Sequence, residues 1–158
     1  WIADGRNDAP RKVYVFTDPN CPYCTKLWSD ARPWVDGGRV QLRHVIVGVL
    51  TPTSKGKAAA ILRAQDPSAM LASYERSHAF SVATMLASGR PHPREDAALV
   101  PLQAIPAGLE AALADNARLM ASFGMRGTPA VAWLDAEGRV QTRQGLRPQD
   151  LAEVFGPR

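Results

Sequence analysis

The stretch Val13-Tyr14-Val15-Phe16-Thr17-Asp18-Pro19-Asn20-Cys21-Pro22-Tyr23-Cys24 decides how the rest of the chain is read. Val13 to Phe16 is a short apolar, β-branched and aromatic run, and Asp18-Pro19-Asn20 is turn chemistry. The run therefore reads as a buried strand ending in a turn. Pro22 then directs the local geometry. A proline pushes the preceding residue out of the α region and itself favours the first position of a helix. Cys21 accordingly belongs at or beside the N-cap of a helix running from Pro22 to about Ala31, with Leu27 and Trp28 as its core contacts. Pro33 ends or kinks that helix.

At an N-cap, the Cys21 sulfur faces the free N–H groups of Tyr23 and Cys24 and the positive end of the helix dipole. Both favour a thiolate over a thiol. Cys21 is expected to titrate clearly below the value of about 8.5 of an unperturbed cysteine, and Cys24, one turn further in, to be less exposed and titrate higher. Positions i and i+3 of a helix are neighbours, so a disulfide can form with little backbone movement. In exchange chemistry Cys21 attacks to give a mixed disulfide, and Cys24 resolves it. Three other readings compete. As a structural staple the pair is poor, because so short a ring contributes about 2 kcal/mol in the chain-entropy model, against about 3 for a 15-residue loop. A zinc site needs about four ligands. The chain has only two cysteines, so His44, His78 and His92 would have to gather from scattered places. An inert buried pair is the third. No metal and no cofactor is expected.

Working outward, Gly37-Gly38 breaks the chain and Val40 to Val49 reads as a second strand, most apolar at Val45-Ile46-Val47. Strand, helix, strand at this spacing is a βαβ unit with parallel strands. Residues from about 54 to 123 look helical with one irregular interruption. Lys57 to Gln65 is Ala-rich, and Asp66-Pro67 reads as an N-cap followed by proline at the first helical position. Pro91, Pro93, Pro101 and Pro106 make the stretch between Gly89 and Gly108 a loop or helix-to-helix connection. Leu109, Leu113, Met120 and Phe123 fall on one face of a helix ending near Gly124. Ala130 to Leu134 is an apolar strand, Asp135-Ala136-Glu137-Gly138 a turn, and Arg139 to Arg143 its antiparallel return. Pro148 opens a terminal helix carrying Leu151, Val154 and Phe155. The expected fold is α/β and thioredoxin-like: one domain over 1–158, with a helical insertion at about 54–123 between a βαβ half and a ββα half.

A second signal is Gly127-Thr128-Pro129-Ala130, just before an apolar strand. Proline cannot donate to a sheet ladder and belongs at a strand's first position or in a tight turn. A cis Thr128–Pro129 bond would present the Thr128 backbone to an incoming extended peptide; an ordinary trans proline at a strand start is the bland reading. Following a CxxC in this β–α order, the dipeptide carries far more weight than it would alone. Trp28 and Trp34 read as packing. His44 reads as structural or exposed. Met125 either lines a substrate groove or fills core, with core the default. Asp18 either raises the cysteine pKa by like-charge repulsion or bonds its own backbone as a turn residue. Lys26 either favours the thiolate or is simply solvated.

Composition bounds the rest. The 158 residues carry 46% apolar and 22% charged side chains, ordinary globular usage for a chain long enough to bury a core. No apolar run approaches the roughly 20 residues that cross a bilayer. Trp1-Ile2-Ala3-Asp4-Gly5-Arg6 has no signal-peptide h-region, so an export signal is expected to have been removed or left out. The net charge of +4 is spread along the chain, without a basic block or aromatic interleaving, which argues against nucleic acid as a partner.

Further motifs resemble one family. These are the strand Val13 to Phe16, Asp18-Pro19, Cys21-Pro22-Tyr23-Cys24, Ala31-Arg32-Pro33-Trp34-Val35-Asp36, Val40-Gln41-Leu42-Arg43, Val47-Gly48-Val49 and Thr128-Pro129-Ala130. Together they resemble the catalytic domains of the DsbC/DsbG family of periplasmic disulfide isomerases and reductases. The Pro-Tyr dipeptide is nearer the DsbG type than the Gly-Tyr of DsbC. The resemblance implies a periplasmic thiol:disulfide oxidoreductase with Cys21 as nucleophile, Cys24 as resolver, and Pro22, Tyr23, Thr128 and Pro129 binding substrate. It implies exported proteins with oxidised cysteines as substrates, whether sulfenic acids or non-native disulfides, and a membrane reductase of the DsbD type as partner. It also implies an N-terminal dimerisation domain absent from this chain, so that a homodimer is expected only of the full-length protein. Disulfide isomerisation with chaperone-like peptide binding is the alternative.

Overall fold

The computed structural model describes residues 1–89 and 99–157. His92, Pro91 and Pro93 lie outside the described residues. The elements are β1 (Ile2–Asp4), β2 (Arg11–Thr17), α1 (Pro22–Asp30), α2 (Arg32–Asp36), β3 (Val40–Ile46), α3 (Ser54–Arg63), α4 (Pro67–Ser88), α5 (Ala107–Ser122), β4 (Ala130–Leu134), β5 (Val140–Gln144) and α6 (Leu151–Phe155), the last entered through a 3₁₀ turn at Pro148–Asp150. They build one five-stranded sheet in the order β1-β3-β2-β4-β5. β2 and β3 are parallel, with Val13 opposite Leu42, and the other pairings are antiparallel. Ala31 breaks the helical stretch ahead of Pro33, giving α1 and α2 in place of one longer helix.

Strand alternation sorts the core. Val13, Val15, Leu42, Val131 and Trp133 point to one face, where α1, α2 and α6 bring Leu27, Trp34, Val35, Leu151, Val154 and Phe155. Trp34 fixes the chain end by donating Nε1–H to the Gly156 carbonyl at 2.8 Å. On the other face Phe16, Val45 and Ala130 meet Met120 of α5 and Met125. A third cluster joins α3, α4 and α5 to Ile2 and Ile46 at the end of the sheet.

Two expectations need correction, and one strand was not foreseen. β3 stops at Ile46 although the apolar run continues: Val47 N–H still bonds the Thr17 carbonyl, but the N–H groups of Val49 and Leu50 turn to the Asp18 carboxylate. β1, a three-residue strand against β3, had no counterpart in the sequence reading. Phe123 is 40% exposed, because α5 ends at Ser122 before covering the sheet, while Leu113 and Met120 are buried.

His44 is buried, its Nδ1 3.1 Å from Thr17 Oγ1 and its Nε2 3.4 Å from Asp4 Oδ2. Burial alone would raise the Asp4 carboxyl, but His44 and Arg32 together bring it to about 2. Asp66 caps α4 as its sequence position predicts, accepting from Ala69 N–H at 2.9 Å ahead of Pro67. Asp66→Ala is expected to lower stability by about 1 kcal/mol in a urea titration, with no effect on cysteine reactivity.

Candidate functional site

Cys21 is the N-cap of α1, with φ −88° and ψ 111°, the extended conformation its proline neighbour dictates. Its sulfur accepts from Cys24 N–H at 3.3 Å. α1 has no acidic residue in its first turn, so nothing there offsets the positive end of the helix. Across from it the Thr128–Pro129 peptide is cis, and the Cys21 thiol donates to the Thr128 carbonyl at 3.3 Å. The Thr128 hydroxyl is buried beside both sulfurs without a hydrogen-bond partner among the described residues, placed to donate once a thiolate forms. The loop bearing it is tied to β5: Gly145 N–H bonds the Pro129 carbonyl at 2.8 Å, and Arg126 N–H bonds Gln144 Oε1 at 2.7 Å.

Both cysteines are free thiols. Hydrogen bonding to the Cys24 side chain is the largest influence bringing the Cys21 thiol down to about 7. Burial opposes it, and the Thr128 hydroxyl and the N–H groups of Cys24 and Tyr23 add to it. Cys24 moves the other way, raised well above the ordinary cysteine value by burial and then by its anionic neighbour. The pair thus holds one proton on Cys24 while Cys21 ionises, the division of labour that exchange chemistry needs. The expected difference in exposure is not found: Cys21 is 2% and Cys24 3% exposed. Cys24 nevertheless lies the deeper of the two, and burial opposes its ionisation more than that of Cys21.

Asp18 supports the loop before Cys21 and is itself buried. Its Oδ1 accepts from Asn20 N–H at 2.9 Å and Ser54 Oγ–H at 2.8 Å; its Oδ2 accepts from Val49 N–H at 2.8 Å and Leu50 N–H at 3.1 Å. The Asp18 carbonyl in turn accepts from Cys21 N–H at 3.0 Å. One carboxylate therefore joins the cysteine loop to residues 49–54. The turn-residue reading covered only the Asn20 bond. Asn20 extends the network, donating to the Thr51 and Thr53 hydroxyls and accepting from the buried Lys57 ammonium at 2.8 Å. Gly48 is required where this loop passes α3, since a Cβ there would lie 2.6 Å from Lys55 Cα.

Beside the cysteines runs a groove of about 570 Å³ lined by Tyr23, Leu27, Thr128, Pro129, Gly145 and Leu146. Tyr23 is 59% exposed at its mouth, whereas Pro22 is not part of the lining. Lys26 pairs with Asp30 at 2.6 Å on the groove wall. Met125, Trp28 and Trp34 are buried packing.

A CxxC pair at a helix N-terminus, facing a threonine–cis-proline turn across a βαβ sheet, defines the thioredoxin-like class of thiol–disulfide exchange domains. The chain belongs to that family: the thioredoxin-like domain model matches residues 3–155. It is 48% identical, over its whole length, to the thiol:disulfide interchange protein DsbG of Pseudomonas aeruginosa, and 41% identical over 98% of its length to DsbG of Escherichia coli K12. It spans 56% of the length of each of these relatives. Among solved structures, the catalytic domain of Proteus mirabilis ScsC matches 98% of this chain and 86% of its own with a TM-score of 0.69. At 20% identity that match speaks for the fold alone. No described helix is long and apolar enough to cross a membrane.

Proposed function

We propose that this chain is the catalytic part of a periplasmic thiol:disulfide oxidoreductase that reduces sulfenic acids or non-native disulfides on exported proteins. The observation that carries the reading is the geometry of the pair: Cys21 caps α1 against Cys24 and faces the cis Thr128–Pro129 turn, with its thiol brought to about 7 and that of buried Cys24 raised. The Cys21 thiolate attacks the substrate sulfur. From a sulfenic acid it displaces hydroxide, which leaves as water on protonation; from a disulfide it displaces a thiolate. Cys24 loses its proton, attacks the Cys21 sulfur of the mixed disulfide and releases the reduced substrate thiol. The resulting Cys21–Cys24 disulfide takes two electrons and two protons from a membrane reductase of the DsbD type. Tyr23, Thr128 and Pro129 line the groove that would hold the substrate chain, with Pro22 setting the geometry of the cysteine beside it. A dimerisation domain N-terminal to this one, making a homodimer of the whole protein, belongs to the same reading and rests on the family resemblance.

Disulfide isomerisation with chaperone-like peptide holding is the second reading, favoured by the open groove beside Thr128. Cys24→Ala separates the two. With a sulfenylated protein it is expected to stop after one equivalent of trapped Cys21 adduct, seen by intact mass, while shuffling of a scrambled protein partly survives. Repeated turnover of the sulfenylated substrate by Cys24→Ala would overturn the reduction mechanism.

A further inference from the structure

The sheet face opposite α1 is only half covered. α5 shields Phe16, Val45 and Ala130, then ends; β1 runs into β2 through residues 5–10 without a helix. What remains is a groove of about 780 Å³ whose floor is Tyr14, Phe16, Val45 and Ala132. Its walls are Leu119 and Phe123 from the end of α5, and Leu134 and Val140 from the β4–β5 hairpin. The register confirms a common face, pairing Tyr14 with Ala132 and Leu134 with Val140. A sheet face this apolar is ordinarily buried against another element.

The charge at its edge is one-sided. Lys12 and Arg43 share the Tyr14 face, and neither has a carboxylate within ion-pairing distance among the described residues. Lys12 donates to the Ala9 carbonyl, and Arg43 donates to Tyr14 Oη and Gln41 Oε1 while lying 4.4 Å from the Trp1 ring centre. Arg11 spends its guanidinium on the Glu153 and Val154 carbonyls. The one acid in the lining, Asp135, is already engaged by Arg139, Gln141 and two backbone N–H groups. The groove therefore joins an apolar floor to two cations that no carboxylate pairs directly, since Asp8, whose charge Lys12 feels, is held by Arg6.

We propose that this face docks an amphipathic helix of a partner protein, its apolar stripe flanked by carboxylates that reach Lys12 and Arg43. A helix fits better than a small amphipathic anion. The four wall residues are 40–58% exposed, so a small ligand would leave much of its surface in water, whereas a helix needs only one face buried. The groove shares no lining residue with the groove at Tyr23 and Thr128, so a docked partner leaves Cys21 free to react.

The test uses a fluorescent helical peptide of about 15 residues, with leucines at i, i+3, i+4 and i+7 flanked by glutamates, and its lysine-for-glutamate counterpart. At low salt the glutamate peptide is expected to bind at least about tenfold more tightly than the lysine peptide, an advantage that fades at high salt. Val140→Glu, at a surface position, is expected to weaken binding about tenfold by placing a like charge on the groove wall, and Arg43→Gln to narrow the difference between the peptides. Bound peptide should leave the rate of Cys21 alkylation unchanged, and the variants' own alkylation rates report their folding. Absent binding, equal affinity for the two peptides, indifference to both substitutions, or protection of Cys21 would each overturn the proposal. Saturable binding of dodecanoate without binding of the peptide would overturn it too, in favour of a small anionic ligand.

Discussion

Cys21→Ser is expected to bring thiol–disulfide exchange down by at least about a thousandfold, to the uncatalysed background, with the fold intact. Serine keeps the shape and the N-cap role, since its oxygen accepts from the Cys24 N–H as the sulfur does. It cannot supply the nucleophile, because the hydrogen bonds from Cys24, Thr128 and the helix N-terminus that bring a thiol to about 7 have no comparable hold on an alcohol that ionises many units higher. Cys24→Ala differs in kind, since the first bond still forms and only its resolution fails. Comparing the two variants in a stopped assay with mass detection separates attack from release. Unaltered exchange by Cys21→Ser would remove the sulfur from the mechanism altogether.

The second large effect is on stability. Asp18→Ala would leave four donors, the N–H groups of Asn20, Val49 and Leu50 and the Ser54 hydroxyl, without their acceptor beneath the cysteine loop. A buried donor left unsatisfied costs about 1–3 kcal/mol, and water entering the space recovers part of that, so a total loss of about 3–5 kcal/mol is expected. Urea denaturation should show the midpoint falling with little change in slope. Asp18→Asn should lie between, because its amide retains one acceptor but turns a donor toward donors. A loss below about 0.5 kcal/mol, ordinary for a surface substitution, would contradict the network described here.

Much of this architecture was legible because it is local. Pro22 fixes the backbone of Cys21 from one residue away; Asp66-Pro67 caps its own helix; Val13 to Phe16 and Ala130 to Leu134 carry apolar runs that need a sheet. What escaped the sequence depends on contacts between distant segments. Ile2–Asp4 is too short to show alternation, and becomes a strand only through pairing with residues about forty positions on, from Leu42 to His44. Val47 to Val49 is apolar enough to extend β3, yet Asp18, some thirty residues earlier, takes the N–H groups of Val49 and Leu50 instead. The turn chemistry at Asp18 was visible, but nothing local foretold Ser54 or the buried Lys57 joining it. The N-cap placement of Cys21 followed from proline stereochemistry, whereas the burial of its sulfur by the Thr128 side of the site could not, since the two residues meet only through the fold.

The central claim is electrostatic: Cys24, Thr128 and the start of α1 bring the Cys21 thiol to about 7, so that a large share of it is thiolate at neutral pH. The direct measurement is the rate of alkylation of each reduced cysteine by iodoacetamide across about pH 5 to 10, read by fragmentation of the tryptic peptide 13–26 that carries both. Only the thiolate reacts, so the Cys21 rate should climb with pH and reach half its plateau near pH 7, while Cys24 stays slow well beyond that point. A shared midpoint near 8.5 for both thiols, the behaviour of free cysteine, would contradict the account.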